Sequence, residues 1–208
     1  MKNKIIIFLT IFTLIFSSSL VVAENLSIEA KNVTFDKKEQ KTIFKDNVTF
    51  KTKENKTINS DYAEYDRKNG IIILKSNIIL LDQNMNKITT DYAEYFENKK
   101  IFKSKGPTEI LTNEGYKVES EDIILDNNKN SITSDKKTLI EDIDNTKIYL
   151  ENFEFLNKKN IFKSIGVVKV EDKLNNTFEF SQIYIDTKKK EILGTDLKAF
   201  VNDKNFKI

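Results

Sequence analysis

Apolar and polar positions recur along this chain with a period of 30 residues. Residues 61–65, DYAEY, return unchanged as residues 91–95. Four apolar or small positions, spaced by two, three and two residues, repeat with this period in six units. These positions are Ile28, Ala30, Val33, Phe35; Ile58, Ser60, Ala63, Tyr65; Ile88, Thr90, Ala93, Tyr95; Val118, Ser120, Ile123, Leu125; Ile148, Leu150, Phe153, Phe155; and Phe178, Phe180, Ile183, Ile185. A repeat of this kind predicts one structural unit used six times.

The spacing within a unit predicts a bent β-strand. Side chains alternate between the two faces of a strand, so steps of two indicate extended backbone. The step of three shifts that alternation by one residue, which predicts a β-bulge in this first strand and keeps both halves facing the same side. Polar turns follow at 36–39, 66–70, 97–100, 126–130, 157–160 and 187–190. Asn and Asp supply the left-handed turn conformations that glycine usually provides.

A less regular return strand follows each turn, with Phe44, Val48 and Phe50 in the first unit. No stretch outside the first residues shows a sustained helical period. The sequence therefore predicts an all-β fold of twelve short antiparallel strands in stacked hairpins. A jelly roll, an open barrel and a β-solenoid all fit this pattern.

Small residues concentrate at inward positions of the first four units. They are Ala30, Ser60, Ala63, Thr90, Ala93 and Ser120. Protein interiors normally leave no gap larger than a methyl group. Two interpretations remain open: two sheets that enclose an apolar channel, or small residues that face large side chains of the opposite sheet.

The first 23 residues have the features of an export signal. Lys2 and Lys4 precede an apolar run over 5–16, and small or aliphatic residues lead to Ala23. This order predicts a signal peptide over 1–23, cleavage between Ala23 and Glu24, and a mature domain over 24–208. The alternative is an uncleaved membrane anchor, although a transmembrane helix needs about 20 apolar residues.

The amino-acid composition excludes several kinds of catalytic and binding site. The chain has no His and no Cys, which excludes disulfides, thiol catalysis and Ser-His triads and argues against the usual zinc sites. Lys and Arg total 34 against 32 Asp and Glu, and removal of Lys2 and Lys4 leaves the mature domain neutral. A neutral domain lacks the basic excess that drives nucleic-acid binding.

The repeated motif is similar to that of a known family. The pattern Ile-x-Ser/Thr-Asp-Tyr-Ala-Glu-Tyr at 58–65 and 88–95, followed by LKSNI at 74–78, resembles the OstA-like lipopolysaccharide-transport proteins. Residues 44–48, FKDNV, resemble that family's return strand, with Asp46 where glycine is common. The resemblance extends over residues 26–208. Members include the periplasmic bridge protein, the anchored component and the periplasmic N-terminal domain of the outer-membrane translocon.

This resemblance implies an open β-jellyroll, a V-shaped double sheet whose inside covers acyl chains while the sugar head stays in water. It implies a non-enzymatic protein without cofactors or metals, located in the periplasm and associated with the outer-membrane assembly machinery. The partners would be lipopolysaccharide and other OstA-like subunits at the inner and outer membranes. Head-to-tail pairing of open strand edges would allow homo-oligomers.

The residues expected to face lipid are inward positions of the middle units. They are Ala63, Tyr65, Leu74, Ala93, Tyr95, Phe102, Ile123, Leu125, Phe153 and Phe155. Ordinary core packing is the alternative explanation for each of them. The chain reaches Ile208, the first inward position of a seventh unit, which suits either a bridge protein with a pairing edge or the N-terminal part of the translocon.

Two other classes of function remain as alternatives. A secreted structural or adhesive β-solenoid would have the same repeat with a dry interior, and a glycan-active enzyme would need converging acids. Asp61 with Glu64, and Asp91 with Glu94, are expected to be solvated groups, the glutamates on the outer face in ion pairs. Residues 141–145, EDIDN, lack the spacing of a calcium loop.

Overall fold

Strand and turn alternate along the described chain as the 30-residue period predicts. A computed structural model describes residues 21–23, 26–52 and 56–200, with side chains from residue 27 onward. The first half contains β1 (Val21–Ala23), β2 (Leu26–Glu29), β3 (Asn32–Asp36), β4 (Lys41–Thr52), β5 (Thr57–Asp66), β6 (Ile71–Leu81), β7 (Lys87–Phe96), β8 (Ile101–Ser104) and β9 (Pro107–Leu111). The second contains β10 (Lys117–Glu121), β11 (Ile124–Asp126), β12 (Ser131–Ser134), β13 (Thr138–Glu141), β14 (Lys147–Leu150), β15 (Phe153–Leu156), β16 (Ile161–Glu171), β17 (Thr177–Asp186), β18 (Glu191–Thr195) and β19 (Lys198–Phe200).

These strands form one antiparallel meander with twelve strand positions. Six positions are continuous strands, namely β4, β5, β6, β7, β16 and β17. The other six are broken at the middle into β2/β3, β8/β9, β10/β11, β12/β13, β14/β15 and β18/β19. Each position pairs with the next along the chain, and β1 adds to the edge beside β2. The predicted all-β class and twelve antiparallel strands are confirmed. Within the described residues the helical structure is a single 3-10 turn, Glu97–Lys99.

Every position bends or breaks at its middle, which folds the meander into two layers. Layer 1 contains β3, β8, β11, β12, β15, β18 and the adjoining halves of the long strands. Layer 2 contains β2, β9, β10, β13, β14, β19 and the other halves. The layers meet along the line of bends, the crease, and their turns form two rows away from it.

The bulge lies in the return strand, so its prediction in the first strand of each unit is wrong. Asp46 and Asn47 of β4 stand opposite Asp61 alone in β5, where the register shifts. Asp46 and Asn47 have φ values of 63° and 54°. Asp and Asn tolerate this left-handed backbone, so the return strand absorbs the extra residue at the bend.

The predicted inward positions face the space between the layers, and most are buried. The exceptions lie at the two ends of the meander. Val33 and Phe35 are 48% and 58% exposed, and Phe178 and Phe180 are partly buried. These side chains belong to strand positions near an end of the meander, where fewer neighbouring strands cover them.

The small inward residues fill space beside the crease. Ala63 lies between Phe44 and Leu74 of the neighbouring strands, and Ala93 lies between Leu74 and Ser104. Both alanines are fully buried. Small and large side chains therefore alternate from Phe44 to Ala93, which permits close packing near the bend.

Candidate functional site

All ten residues predicted to face lipid lie in the interior between the layers. Ala63, Leu74, Ala93 and Ile123 are 0% exposed, and Tyr95 has the largest exposure of the ten at 6%. The remaining five, Tyr65, Phe102, Leu125, Phe153 and Phe155, are also buried. Water does not reach this surface, so the middle of the interior is closed in this structure.

Aromatic rings form the packing of the later units. The ring of Phe155 stacks on Phe162 with centroids 4.3 Å apart, and Phe153 lies 5.9 Å from the same ring. On the other side of the molecule, Phe44 and Phe50 of β4 meet across the bend at 6.5 Å in an edge-on arrangement. These contacts give the interior large, rigid apolar surfaces.

The two turn rows approach each other opposite the crease, along a line that we term the seam. Lys56 of layer 2 donates a hydrogen bond to the side-chain oxygen of Asn127 in layer 1, 71 positions later. Tyr116, just before β10, contacts Phe162 with ring centroids 6.3 Å apart. The layers thus meet with an offset along the chain: turns of layer 2 contact turns of layer 1 that come later in the sequence.

Polar groups cap the interior near the turn rows. The Tyr65 hydroxyl donates to Glu97 Oε2 over 2.8 Å. Burial, assisted by this hydrogen bond, raises the pKa of Tyr65 to about 12. Burial and the nearby carboxylates of Asp142 and Glu114 also raise the pKa of Tyr116. Both phenols are therefore neutral at physiological pH and present an apolar ring inward with a polar tip outward.

The interior opens at its ends. Val33 and Phe35 form an exposed apolar edge in β3. At the other end a cleft of about 490 Å³ is lined by Val170, Phe178, Phe180, Ile192, Gly194, Leu197 and neighbouring groups. Any side chain at Gly194 would overlap the Phe180 ring. Glycine there lets a ring from layer 2 lie directly on the backbone of layer 1.

Hydroxyl groups line the inside of the crease, a feature that the sequence interpretation missed. Thr108 Oγ1 donates to Ser104 Oγ over 2.7 Å, and the hydroxyls of Ser120 and Thr138 lie 2.8 Å apart. Ser164 Oγ is buried and finds no hydrogen-bond partner among the residues that the structure describes. Short hydroxyl side chains suit this position because Ser104 with Thr108, and Ser120 with Thr138, satisfy each other at the bend, where backbone pairing is interrupted.

The carboxylates set aside as solvated groups lie outside the interior. Glu64 accepts an ion pair from Lys41 at 2.8 Å, and this contact raises the pKa of Lys41. Asp61 accepts a hydrogen bond from the Asn77 amide over 2.6 Å. Asp142 accepts the backbone N–H groups of Asp144 and Thr146 in a turn. The described residues contain no cluster of three or more His, Cys, Asp or Glu that could hold a metal ion.

Two further residues shape the interior without being predicted as site residues. Phe162 is fully buried at the centre of the aromatic cluster, and Tyr116 contacts it. The signal for Phe162 was present, because Ile72, Phe102, Ile132, Phe162 and Ile192 repeat at 30 residues in the return strands. Tyr116 has no such signal, since Asn86 and Thr146 occupy the equivalent positions.

The first residues have limited structural description. Residues 1–20 and Glu24 lie outside the described residues, as do 201–208. Val21–Ala23 forms β1 and pairs with β2. Within the described part, no helix has the length and apolar character to cross a membrane.

A bent antiparallel meander with a continuous apolar interior and a polar seam defines an open β-jellyroll. Residues 21–116 match the sequence model of the family described as "LptC: Lipopolysaccharide-assembly, LptC-related". Residues 21–116 are therefore similar to that lipopolysaccharide-assembly family, and the match confirms the resemblance to OstA-like lipopolysaccharide-transport proteins.

Comparisons with individual known proteins add little to the family match. No curated protein matches the chain significantly. Among solved structures, the chain is similar to LptH from Pseudomonas aeruginosa, described as the LptA-homologous periplasmic component of the lipopolysaccharide transport device. The identity is 17%, the TM-score is 0.30, and the match covers 71% of this chain and 95% of LptH. The assignment therefore rests on the family match and the strand pairing.

Proposed function

We propose that this protein binds lipopolysaccharide non-enzymatically and carries it through the periplasm towards the outer membrane. The acyl chains would lie between the two layers, and the sugar head would remain at the seam in contact with water. The observation that carries this proposal is the continuous apolar interior, in which ten aligned positions are at most 6% exposed, bounded by a row of polar turns. The family match of residues 21–116 supports the same function.

The hydrophobic effect supplies the driving force. Each acyl CH₂ removed from water contributes about 0.8 kcal/mol, so a twelve-carbon chain gains roughly 8–10 kcal/mol in an apolar groove. The net gain is smaller here, because the lipid replaces contacts that the layers already make with each other. Transfer between similar interiors is nearly neutral in free energy, which suits a carrier.

Lipid entry requires the layers to separate, since the interior is closed in this structure. Of the two seam contacts named above, the hydrogen bond between Lys56 and Asn127 is polar, and water can replace it at little cost. The ring contact between Tyr116 and Phe162 is the apolar exception. Opening along the seam, with the crease as hinge, exposes the predicted site residues, and bound lipid would then favour the open state.

The open edges of the meander provide surfaces for neighbouring modules. Among the described residues, β3 pairs on one side only, with β4, and β18 and β19 pair on one side only, with β17. Unpaired strand edges pair readily with other strands. The proposed partners are other OstA-like subunits at the inner and outer membranes, or further copies of this chain.

The protein could occupy one of three positions in the transport path. A bridge protein of the LptA type would be released after cleavage between Ala23 and Glu24. An anchored component, which the LptC-related match favours, would retain residues 1–23. The periplasmic N-terminal domain of the translocon LptD would continue into further strands. Intact mass spectrometry of protein from its host separates them. A start at Glu24 excludes the anchor, an intact leader excludes a freely released bridge, and a mass well above that of residues 24–208 indicates the translocon.

The functional test is lipid recovery. Protein purified without detergent from cells that make lipopolysaccharide should yield, on organic extraction, an acylated phosphosugar close to one equivalent per chain by mass spectrometry. Protein stripped of lipid should regain lipopolysaccharide from solution. A lipid-free preparation that also fails to bind added lipopolysaccharide would contradict the proposal.

One observation favours a second candidate. The closed interior is what a structural or adhesive β-protein with a dry core would have. That candidate predicts no recovered lipid and no binding, so the same experiment distinguishes the two. Glycan hydrolysis gains no support from Glu64, which pairs with Lys41 on the outer face instead of facing another acid across a cleft.

A further inference from the structure

Turns from both layers enclose a polar cleft of about 540 Å³ at the seam. Layer 2 contributes the turns after β4, β6 and β9, and layer 1 contributes those before β12, β16 and β18. The lining residues that matter are Lys158, Lys188, Asn84, Asn113, Asn157 and Asn160. The cleft lies immediately outside the interior, since Phe155 points inward and Asn157 lines the cleft two residues later.

The cleft has a small excess of positive charge. Lys158 and Lys188 are exposed, and their ammonium groups form no ion pair within the part of the chain that the structure describes. The nearby carboxylate of Asp82 is committed to its own turn, where it accepts the backbone N–H groups of Asn84 and Asn86 at 2.8 and 2.9 Å. Glu114 is the other acid in the lining. Lys56, Lys158 and Lys188 together carry one more charge than these two carboxylates, so the lining has a net positive charge.

Side-chain amides supply the remaining polar groups. The side-chain oxygen of Asn157 is buried and has no hydrogen-bond partner within the described part of the chain. The side-chain amides of Asn84, Asn113 and Asn160 also make no hydrogen bond among the described residues, although their backbone groups do. An amide can donate and accept at once, which suits sugar hydroxyls, while ammonium groups suit phosphate oxygens.

We infer that this seam cleft binds a phosphorylated sugar, with Lys158 and Lys188 facing the phosphate and the asparagine amides facing the hydroxyls. The inference rests on the proposed function in one respect: the phosphosugar would be the head of the lipid whose acyl chains enter the interior. A free phosphosugar has the same chemistry, so the experiment must separate the two sources. Bound in this way, the head holds the seam open above the acyl chains.

The test compares two double variants of the mature protein. Lys158→Gln with Lys188→Gln removes the ammonium groups of the cleft. Lys159→Gln with Lys189→Gln removes the same charge from the adjacent positions of the same turns, which do not line the cleft. The probes are lipid A, enzymatically dephosphorylated lipid A and glucosamine 1-phosphate, each titrated at low and high salt.

The unmodified protein should bind lipid A about tenfold more tightly than its dephosphorylated form, as expected for two partly solvated charge contacts. The Lys158/Lys188 variant should lose this preference and keep its affinity for dephosphorylated lipid A. The Lys159/Lys189 variant should retain the preference, and high salt should weaken it. Glucosamine 1-phosphate should bind weakly and with the same dependence on Lys158 and Lys188.

Failure of the inference and failure of the proposed function give different results. Equal affinity for both lipids, or equal losses in the two variants, overturns the cleft assignment while acyl binding survives. Failure to bind either lipid overturns the proposed function. In that case, lysine-dependent binding of glucosamine 1-phosphate assigns the cleft to a soluble phosphosugar, and absence of that binding overturns the cleft as well.

Discussion

Tyr116 in layer 2 and Phe162 in layer 1 place their rings 6.3 Å apart, at an angle of 53°, where the two halves of the bent meander meet opposite the crease. Phe162 also contacts Phe153 and Phe155. One buried ring therefore links the interior of layer 1 to the turn row of layer 2. This contact is apolar, whereas the seam cleft is lined by polar turn residues.

Removal of the Phe162 ring should destabilise the fold. Phe162→Ala should lower the free energy of unfolding by about 3–5 kcal/mol, because it leaves a cavity among three aromatic neighbours. Phe35→Ala is the matched control, since Phe35 is 58% exposed at the edge, and it should change stability by less than about 1 kcal/mol. Denaturant unfolding followed by circular dichroism measures both. Equal effects would contradict the placement of Phe162 at the centre of the core.

The bend in β6 depends on residues with left-handed backbone. Ser76 has φ 64°. Ser76→Gly should be neutral or stabilise the fold, because glycine adopts this conformation without a steric penalty. Ser76→Val should destabilise by about 1–3 kcal/mol, because a β-branched residue is strained there. Thermal unfolding of the two variants compares them at one site. A valine variant as stable as the glycine variant would argue against the bulge.

Alkaline pH should weaken the fold through Tyr65. Its pKa is about 12 in the folded protein, above the usual tyrosine value of 10.0. The unfolded chain therefore loses this proton first, and the stabilisation is fully present below pH 10 and lost as pH rises towards 12. Tyr65→Phe should show a shallower decline of stability across this window, measured by urea unfolding at several pH values. An identical decline in both proteins would contradict the burial of the Tyr65 hydroxyl.

Edge pairing should be directional if modules assemble head to tail. Phe35→Asp places a charge on the β3 edge, and Ile192→Asp places one on the β18 edge. Each variant alone should remain monomeric at concentrations where the unmodified protein forms longer oligomers. A mixture of the two should form a heterodimer that grows no further, because each partner keeps one intact edge. Light scattering after size exclusion measures this. Homodimers of either variant would indicate symmetric pairing instead.

The sequence predicted the strand pattern well for a simple physical reason. Inward side chains must be apolar in every unit, so the 30-residue period records which face is buried, as at Ile123 and Phe153. The same logic predicted that Glu64 faces solvent, where it meets Lys41. The prediction of buried inward positions was wrong where burial depends on how many strands lie alongside. Val33 and Phe35 follow the inward pattern but lie near the end of the meander, where fewer strands cover them.

Other features lie beyond any local pattern. The extra residue of the bulge could belong to either strand of a pair, and only the register shows that Asp46 and Asn47 carry it. The contact between Tyr116 and Phe162 depends on the offset between layers, which joins units distant in the chain. The seam cleft arises from the same offset. Periodicity describes each unit and contains no information on how two rows of turns are aligned.

The most direct test of the transport proposal is site-specific photo-crosslinking with neighbouring residues as controls. Ile123 is fully buried and faces the interior, whereas Ile124, the next residue, is 36% exposed and lies outside. Phe153 and Glu154 form a second such pair, buried and half-buried respectively.

A photoreactive amino acid at Ile123 or Phe153 should capture lipopolysaccharide in cells that are transporting it, and the same group at Ile124 or Glu154 should capture little. Folding of each variant is checked by circular dichroism. Lipid captured at the inner positions alone is the predicted result. Equal capture on both faces, or none at folded inner-position variants, would contradict the proposal that acyl chains travel between the two layers.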